Sequence, residues 1–508
     1  MNAKTRFCLA YGLLLAFVAC STGPIQAPSQ HDQVLFTGRF DFSDPAKPVF
    51  SHVSSSMKAN FSGTGISAAL SAASGTSYLY VIVDGNADPV KRRSQLIEVQ
   101  VRDARTFTLA SGLPAGNHTV EIVKENQYDT KVAFHGFTVT GGTLLAKPAR
   151  PELSLEFYGD SNPAGHSAWD VADGGAVINN GGYFTYPGIT ARLLNTEFHN
   201  ISMGGIGITS KAWRNLANFY NLVHMNDAAT GANLWNFSGF TPDAVIINVG
   251  SNDVIAGGSK TEIKSGWKSF IANDLRSHYP GAHIVLLESY GWSSSEPANY
   301  LDETVAELVA AGEKNVSWVH IPWLWGQEHA VVNEHAGFAN ILAQHLAAVL
   351  HLPQPPLSVL SSFAPYGSVT NGSFEKSTLP GVADGWRPHG TATLVKNASD
   401  AAAGTSYLRL ENDAWVHFAN SANPGFQFSL TGWMRGRQKG DIGKLKIEFK
   451  GQDQRTIGSQ EGLVNLATNW QKFSTSAVAP AGTWSVWVVL AAEKENHADF
   501  DDVQMTRK

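Results

Sequence analysis

The 508-residue sequence is short of cysteine and of charge. Its two cysteines, Cys8 and Cys20, both lie in the first twenty residues, so no disulfide can form within the rest of the chain. Charged residues make up 16% of the sequence, below the roughly 25% of an average soluble domain. The net charge of −6 gives no basic surface for nucleic acid, and we set that class of partner aside.

Beyond the N terminus, apolar runs long enough to span a bilayer are also missing. In the first twenty residues, Lys4 and Arg6 precede an apolar stretch over 7–19, which is the layout of a secretory signal. Residues 15–20 (Leu-Ala-Phe-Val-Ala-Cys) resemble a bacterial lipoprotein box, in which Cys20 would be the acylated first residue. We therefore expect residues 1–20 to be a signal peptide. The protein is then an outer-membrane or cell-surface lipoprotein held only by this lipid anchor, or a secreted protein if Cys20 is incidental.

The length and the hydrophobic pattern predict about three domains. Residues 34–147 show short alternating segments between turn signals, which is typical of an all-β jelly roll. Strands and helices alternate over 152–351, and this predicts an α/β domain whose parallel sheet is covered on both faces. Short strands return over 366–508 and predict a second β-sandwich. Proline-rich segments at 147–151 and 352–356 mark the two boundaries.

The individual elements are predicted as follows. The first region has strands at 34–41, 78–83, 97–101, 106–109, 119–122 and 131–139, with a turn at 112–116. The middle region has strands at 153–158, 197–202, 243–249, 282–288 and 316–321, and helices at 185–195, 260–278, 299–312 and about 334–350. The last region has strands at 405–411, 414–420, 426–436, 443–451, 470–477, 483–492 and 498–506.

Polar and glycine residues follow three of the predicted parallel strands. The first strand ends in Gly159-Asp160-Ser161, glycines occur within 204–207 after the second, and Asn252 follows the third. Each motif alone is commonly just a turn or a helix cap. Together they predict an acyl-transfer site, because the carboxyl ends of neighbouring strands share one crevice in an open α/β sheet. A serine there needs a base for its proton and donors for the resulting oxyanion.

The order of these blocks resembles the SGNH (GDSL) hydrolase superfamily. The segment that begins Gly38-Arg39-Phe40-Asp41-Phe42 ahead of them resembles carbohydrate esterase family 2, and the resemblance covers roughly residues 34–350. It implies that Ser161 is the nucleophile. It also implies an oxyanion hole made by the N–H of Ser161, the N–H of Gly205 and the side chain of Asn252, with no metal needed for catalysis.

The late histidine block of the family offers two candidates for the base. Matching the block without a gap places the base at His329, with Ala330 where the family has proline, and leaves His335 as the alternative. The aspartate that usually stands two or three residues earlier is missing, since Gly326 and Gln327 occupy those positions. A backbone carbonyl or Gln327 would then hold the imidazole tautomer.

By this resemblance the chain is a serine esterase that removes O-acetyl groups from a polysaccharide through an acetyl-Ser161 intermediate. Acetylated xylan or mannan is the default substrate, and Trp292, Trp323 and Trp325 are candidates to stack on sugar rings. One alternative is an ester of another glycan, such as an algal or bacterial surface polysaccharide. A second is a glycan-binding lipoprotein without catalysis, because the aspartate and the proline of the last block are absent.

The last region resembles the carbohydrate-binding modules of families 4 and 22 at three short segments, 371–375, 385–386 and 500–503. The resemblance implies a structural calcium held by oxygen ligands. The matching carboxylates are those of Glu375, Asp501 and Asp502, which could equally be plain edge-strand acids.

Exposed aromatic residues would bind the glycan in such a module, and the candidates are Trp386, Trp415 and Trp433. The proline-rich linker predicts that residues 366–508 fold on their own, so that deleting them leaves activity on small acetates intact.

Overall fold

The computed structural model describes residues 30–507 with short gaps. The gaps are residues 31, 74, 90, 101, 128–129, 171–172, 289–298, 320, 322–328, 359, 361–368, 370, 379–380, 423, 452–454 and 484. A nine-stranded sheet, a five-stranded sheet and an eight-stranded sheet follow one another along the described chain. In this part of the chain no helix is both long and apolar enough to cross a membrane.

The first sheet is antiparallel, with the order β2-β3-β8-β4-β7-β5-β6, and β1 and β9 also pair with β4. The strands are β1 (Val34–Thr37), β2 (Phe40–Asp41), β3 (Val49–Phe50), β4 (Ser56–Ala72), β5 (Ser77–Val83), β6 (Leu96–Val99), β7 (Arg105–Lys124), β8 (Val132–Thr140) and β9 (Thr143–Leu144), with the short helix α1 (Arg92–Gln95) before β6. Alternate side chains of β4 and β7, such as Phe61 and Val120, are buried in one apolar cluster.

Two sequence predictions in this region were wrong. The central strand β4 was missed, because its many serine, glycine and alanine residues have low strand propensity. The turn predicted at 112–116 lies inside β7 instead. There Gly63 pairs with Gly116 and Gly65 pairs with Ser111, so the intervening residues of β7 bulge out of the ladder without ending the strand.

The middle sheet is parallel, as the sequence predicted, and its strand order is β11-β10-β14-β15-β16. Its strands are β10 (Leu153–Gly159), β11 (Thr196–Ser202), β14 (Ala244–Asn248), β15 (His283–Leu287) and β16 (Val316–Val319), and β12 (Ile206–Gly207) and β13 (Arg214–Asn215) form a separate small ladder. The helices are α2 (Tyr186–Leu194), α3 (Ser251–Ile255), α4 (Lys260–Ser269), α5 (Arg276–His278), α6 (Asn299–Ala310) and α7 (Val332–Val349). A π-helical turn, Phe270–Leu275, joins α4 to α5 within the predicted helix 260–278.

Both faces of the parallel sheet are buried. In β14, Val245 and Ile247 belong to one apolar cluster with α4 and α6, whereas Ala244 and Ile246 belong to another with α2 and α7. This double burial explains why the strands read as continuous apolar runs in the sequence.

The last sheet is antiparallel, with the order β21-β20-β23-β18-β24-β19-β22, and β17 also pairs with β18. Its strands are β17 (Arg387–Lys396), β18 (Ser406–Ser421), β19 (Gln427–Arg435), β20 (Ile442–Lys450), β21 (Thr456–Asn465), β22 (Gln471–Val478), β23 (Ser485–Ala492) and β24 (His497–Arg507). The sequence missed β17 and β21, and it divided β18 into two strands at Asn412-Asp413, where both residues adopt positive φ angles.

The middle region is packed against both the first and the last region through buried contacts. Arg39 of the first region is fully buried, and its guanidinium bonds the Glu156 carboxylate of β10 at 2.9 Å and the carbonyl oxygen of Tyr220 at 2.6 Å. On the other side, Trp487 and Val489 of β23 share an apolar cluster with α7. The last region is therefore docked on the middle one, which the linker composition did not predict.

Candidate active site

Three adjacent strand ends converge on the site. In the parallel ladder, Gly159 at the end of β10 lies level with Ser202 of β11 and Asn248 of β14. The residues that follow, from Ser161, from 203 onward and from 249 onward, therefore emerge along one edge of the sheet. This brings together the three blocks that the sequence singled out.

The serine turn is held by buried polar contacts. The Asp160 carboxylate is fully buried, where it accepts hydrogen bonds from the N–H of Asn162 at 3.0 Å and from the hydroxyl of Ser251 at 2.7 Å. Asp160 thereby links the serine turn to the first turn of α3, which is a structural role. Ser161 beside it is half-buried, and its hydroxyl faces His329.

His329 lies against the serine. Its Nε2 is 2.8 Å from Ser161 Oγ, and its Nδ1 is 2.9 Å from Asp173 Oδ2 and 3.1 Å from Oδ1. The two turns are also joined directly, because the N–H of Ala330 donates to the side-chain oxygen of Asn162 at 3.1 Å. The arrangement matches the serine–histidine–carboxylate geometry in which the imidazole takes the hydroxyl proton.

Asp173 is the residue that the sequence reasoning missed. We expected a backbone carbonyl or Gln327 to orient the imidazole, but Asp173 bonds His329 from 156 positions upstream. Gln327 lies outside the described residues. The nearby Asp173-Gly174-Gly175 segment carries only an ordinary turn signal, and this gave no reason to pair it with a distant histidine.

The electrostatics of Asp173 suit the role of orienting a histidine. Burial alone would raise the pKa of Asp173, but its hydrogen bonds with His329 and Ser167 outweigh this effect and leave the pKa below its ordinary value. The carboxylate is therefore ionised at neutral pH. An ionised carboxylate at Nδ1 keeps the proton there and leaves the Nε2 lone pair facing Ser161.

The alternative base, His335, is placed differently. It lies in the first turn of α7, is fully buried against Tyr186 and Phe338, and burial with the nearby His329 lowers its pKa to about 3. Among the described residues, neither of its ring nitrogens has a hydrogen-bond partner. His335 is thus a neutral packing residue away from the serine hydroxyl.

The predicted oxyanion donors lie around the same crevice. Gly205 has a φ of +80°, and a Cβ there would come within 2.5 Å of the Trp213 ring, so glycine is required for both reasons. The Asn252 amide donates one hydrogen to the Ile206 carbonyl at 2.9 Å, which leaves its second N–H for a substrate. Asp253 fixes the same loop by accepting from the N–H groups of Ile208 and Thr209.

The candidates for sugar contact fall into two groups. Trp292, Trp323 and Trp325 lie outside the described residues. Trp213, which the sequence reasoning did not single out, is 64% exposed and packs directly on Gly205. Its large exposed ring beside a predicted oxyanion donor is a surface on which a sugar ring can stack.

Three side chains of the site could also approach a metal ion. His166, Asp173 and His329 each offer one ligand atom, and these atoms lie within 4.8 Å of one another. Asp173 and His329 already bond each other, so an ion there would compete with the serine-activating geometry.

The carboxylates predicted to bind calcium in the last region accept hydrogen bonds from nearby residues of the same region. Glu375 accepts from the N–H groups of Thr405 and Ser406, and Asp501 accepts from the N–H of Ala403 at 2.8 Å. Asp502 accepts from the side chain of Gln504. Burial raises the pKa of Asp501 to about 6.

Burial excludes one of the glycan-binding candidates in that region. Trp386 is 3% exposed and packs between Phe374 and Phe418, so it belongs to the core and cannot stack on a sugar. Trp415 packs against the cluster around α7, and Trp433 is half-buried.

Cys20, the candidate for lipidation, lies outside the described residues.

Two family models match this chain. One, described as "Carbohydrate esterase 2 N-terminal", covers residues 36–148, and the other, "GDSL-like Lipase/Acylhydrolase family", covers residues 157–352. Together they span the first two sheets in the order that the sequence blocks indicated. Over these two regions the chain is similar to carbohydrate esterase family 2.

Named members of family 2 are similar over the same region. The "Cellulase/esterase CelE" of Acetivibrio thermocellus is 29% identical over 333 residues, which are 64% of this chain and 40% of that protein. The "Acetylxylan esterase / glucomannan deacetylase" of Cellvibrio japonicus is 26% identical over 344 residues, 65% of this chain and 92% of that protein. The chain thus spans well under half of the first relative.

A solved family 2 structure has the same fold over this region. The carbohydrate esterase from Clostridium thermocellum, in complex with cellohexaose, is 28% identical with a TM-score of 0.57, covering 63% of this chain and 99% of that one. The family 2 esterase from Cellvibrio japonicus aligns with a TM-score of 0.56 at 22% identity, and this likeness shows the fold alone.

Proposed function

We propose that this chain is a serine esterase that removes O-acetyl groups from polysaccharides. The observation that carries the proposal is the continuous chain of short contacts from Ser161 Oγ through His329 to the Asp173 carboxylate. A hydroxyl linked in this way loses its proton to the imidazole as it attacks a carbonyl, and Asp173 stabilises the imidazolium that forms.

The reaction has two steps on this geometry. Ser161 Oγ attacks the acetyl carbon, His329 Nε2 takes the hydroxyl proton, and the same proton then passes to the departing sugar oxygen. Water, deprotonated by His329, next hydrolyses acetyl-Ser161 and releases acetate. The N–H groups of Ser161 and Gly205 and the amide of Asn252 stabilise the oxyanion in both steps.

The polysaccharide class follows from the relatives and from the cleft. One relative is named as an acetylxylan esterase and glucomannan deacetylase, and acetylated xylan or glucomannan is therefore the proposed substrate. The exposed Trp213 ring beside Gly205 supports a sugar substrate, because a pyranose face packs well on an indole. Trp213→Ala should therefore raise KM for the polymer more than for a small soluble acetate.

Further parts of the proposal concern the flanking regions. We take the first sheet as a jelly roll and the last as a carbohydrate-binding β-sandwich, with Glu375 and Asp501 or Asp502 as ligands of a structural calcium. An N-terminal lipid on Cys20 would hold the enzyme at a cell surface near its insoluble substrate.

Acetate release tests the proposed function. Wild-type protein should release acetate from acetylated xylan and acetylated glucomannan, and Ser161→Ala should release none above background while it keeps the wild-type thermal unfolding. Ser154→Ala is the matched control, because Ser154 lies at the opposite end of the same strand β10. Acetate release by Ser161→Ala at the wild-type rate would exclude Ser161 as the nucleophile.

A further inference from the structure

The side chain of Gln127 reaches the esterase site from the first region. It follows strand β7 and is 2% exposed. Its Oε1 accepts the N–H of Gly204 at 2.7 Å, and its Nε2 lies 2.9 Å from His166 Nδ1. One buried amide therefore joins the oxyanion loop to a histidine beside the catalytic pair.

The direction of these two bonds is fixed by chemistry. The N–H of Gly204 can only donate, so the amide oxygen of Gln127 must face it and the NH₂ group must face His166. His166 Nδ1 then accepts, and a neutral imidazole with an acceptor at Nδ1 carries its proton on Nε2. Burial and the neighbouring His329 lower the pKa of His166, which agrees with a neutral ring.

Both partners of Gln127 lie next to residues that the proposed reaction uses. Gly204 precedes Gly205, so the bond to its N–H fixes the loop whose next N–H is the proposed oxyanion donor. The His166 ring lies 4.5 Å from the His329 ring, and the backbone N–H of His166 donates to the backbone carbonyl of Ser161 at 3.0 Å.

The tautomer of His166 also decides whether the site can hold a metal ion. The ligand atoms of His166, Asp173 and His329 lie close enough for a divalent ion with nitrogen and oxygen ligands. An imidazole can coordinate only through a nitrogen that carries no proton. With its proton on Nε2 and its Nδ1 taken by Gln127, His166 offers no free lone pair to such an ion.

We propose that Gln127 is a positioning residue of the esterase site: it holds the Gly204–Gly205 loop for oxyanion binding and locks His166 in the tautomer that cannot bind a metal. This inference rests on the proposed esterase function. It gives the first region a part in positioning the groups of the site, in addition to any role in binding the polymer.

The first arm of the test is the kinetics of Gln127→Ala on a small chromogenic acetate. The variant should lose about tenfold to 10²-fold in kcat, the scale of a small misplacement of a reacting group. Its KM should change much less, because the oxyanion forms only in the transition state. Gln30→Ala is the matched control. The Gln30 amide likewise donates one hydrogen bond and accepts another, but both join it to the backbone of Phe137 in the first region, away from the site.

The second arm is Zn²⁺ binding by Gln127→Glu, measured by calorimetry in the inactive Ser161→Ala background. One glutamate oxygen can still accept from the N–H of Gly204, but the other requires a proton on His166 Nδ1 and so frees the Nε2 lone pair. The affinity for Zn²⁺ should rise by about tenfold or more, and adding His166→Gln should remove the gain, as losing one ligand would.

The outcomes separate this inference from the proposed function. An active wild type, an inactive Ser161→Ala and a Gln127→Ala with unchanged kcat would overturn the role of Gln127 alone. An unchanged Zn²⁺ affinity of Gln127→Glu would also overturn the role of Gln127. If Gln127→Ala does not fold, this second arm alone tests that role. A wild type without esterase activity, or an active Ser161→Ala, would instead contradict the proposed function.

Discussion

Asp173 supplies the negative charge that the sequence around the histidine lacks. It is ionised at neutral pH, because its hydrogen bonds with His329 and Ser167 outweigh the effect of burial on its pKa. Its loop position, with a φ of +54°, turns the carboxylate toward His329 Nδ1. The loss of the usual aspartate from the histidine block is thus compensated from another loop.

Replacing this carboxylate by an amide should impair catalysis without unfolding the protein. An amide can donate to Nδ1 as well as accept from it, so Asp173→Asn allows the tautomer whose Nε2 cannot take the serine proton. We expect kcat to fall by about 10²- to 10⁴-fold, the upper figure being that of the same change in a serine protease. Hydrolysis of a chromogenic acetate at saturating substrate measures it.

Asp170→Asn is the control for that experiment, because Asp170 lies in the same loop and its carboxylate accepts from the N–H of Gly174. If Asp173→Asn kept kcat within about twofold of wild type, well short of the loss expected for a wrong tautomer, Asp173 would not be the orienting group.

The sequence identified some of these residues and not others for a physical reason. Ser161 and Asn252 stand directly after apolar strands, and the topology of a parallel sheet alone brings such residues to one edge. His329 required the order of blocks in a known family. Asp173 is set by the path of a loop between distant elements, and no local pattern encodes that path.

The oxyanion loop after β11 depends on a glycine with little freedom to change. Gly205→Ala would place a methyl group 2.5 Å from the Trp213 ring and force a φ of +80° on alanine. The strain from φ alone costs about 1–2 kcal/mol. The collision must also displace either the loop or Trp213, so we expect kcat on a small acetate to fall by about 10²-fold or more, the loss for one oxyanion donor.

Gly257→Ala is the matched control for the loop. Its φ of +78° carries the same strain, but nothing lies within 4 Å of the added methyl group. Gly257→Ala should therefore lose the thermal stability that the φ strain alone costs and keep the wild-type kcat, whereas Gly205→Ala should lose at least as much stability and also lose kcat. Equal kcat values for both would show that the Gly205 loop does not contribute to the oxyanion hole.

At the level of elements, the quality of the sequence prediction follows burial. The five strands of the parallel sheet were predicted within a few residues, because burial on both faces makes each one a clear apolar run. Strand β4 was missed although it lies at the centre of its sheet, since its small and polar residues resemble a loop. Strand β21 was missed because most of its residues are exposed, so its sequence lacks a buried apolar pattern.

The docking of the last region on α7 changes what a truncation should do. Trp487 and Val489 are 8% and 7% exposed and pack in the cluster that contains Phe338 and Leu342 of α7. Helix α7 begins three residues after His329. The two regions therefore share part of the core that supports His329, the proposed base.

We accordingly expect deletion of residues 366–508 to lower both the thermal stability and the activity on small acetates, contrary to what the linker composition predicts. Trp487→Ala in the full chain should reproduce part of this, with a loss of about 3 kcal/mol in the free energy of unfolding for a buried aromatic residue. Leu463→Ala, at a 60% exposed position of β21, is the control. A truncated protein with wild-type melting temperature and kcat would show that the contact is dispensable.

The most direct test of the whole account is covalent labelling of the nucleophile. A fluorophosphonate reacts with a serine only when a base activates it, and the labelled residue is found by intact mass and peptide mapping. Wild type and His335→Ala should each take up one label, on Ser161, whereas His329→Ala should take up none at the same exposure, because the pair acts as a unit. Labelling of another residue, or of Ser161 in His329→Ala at the wild-type rate, would contradict the assignment of Ser161 and His329.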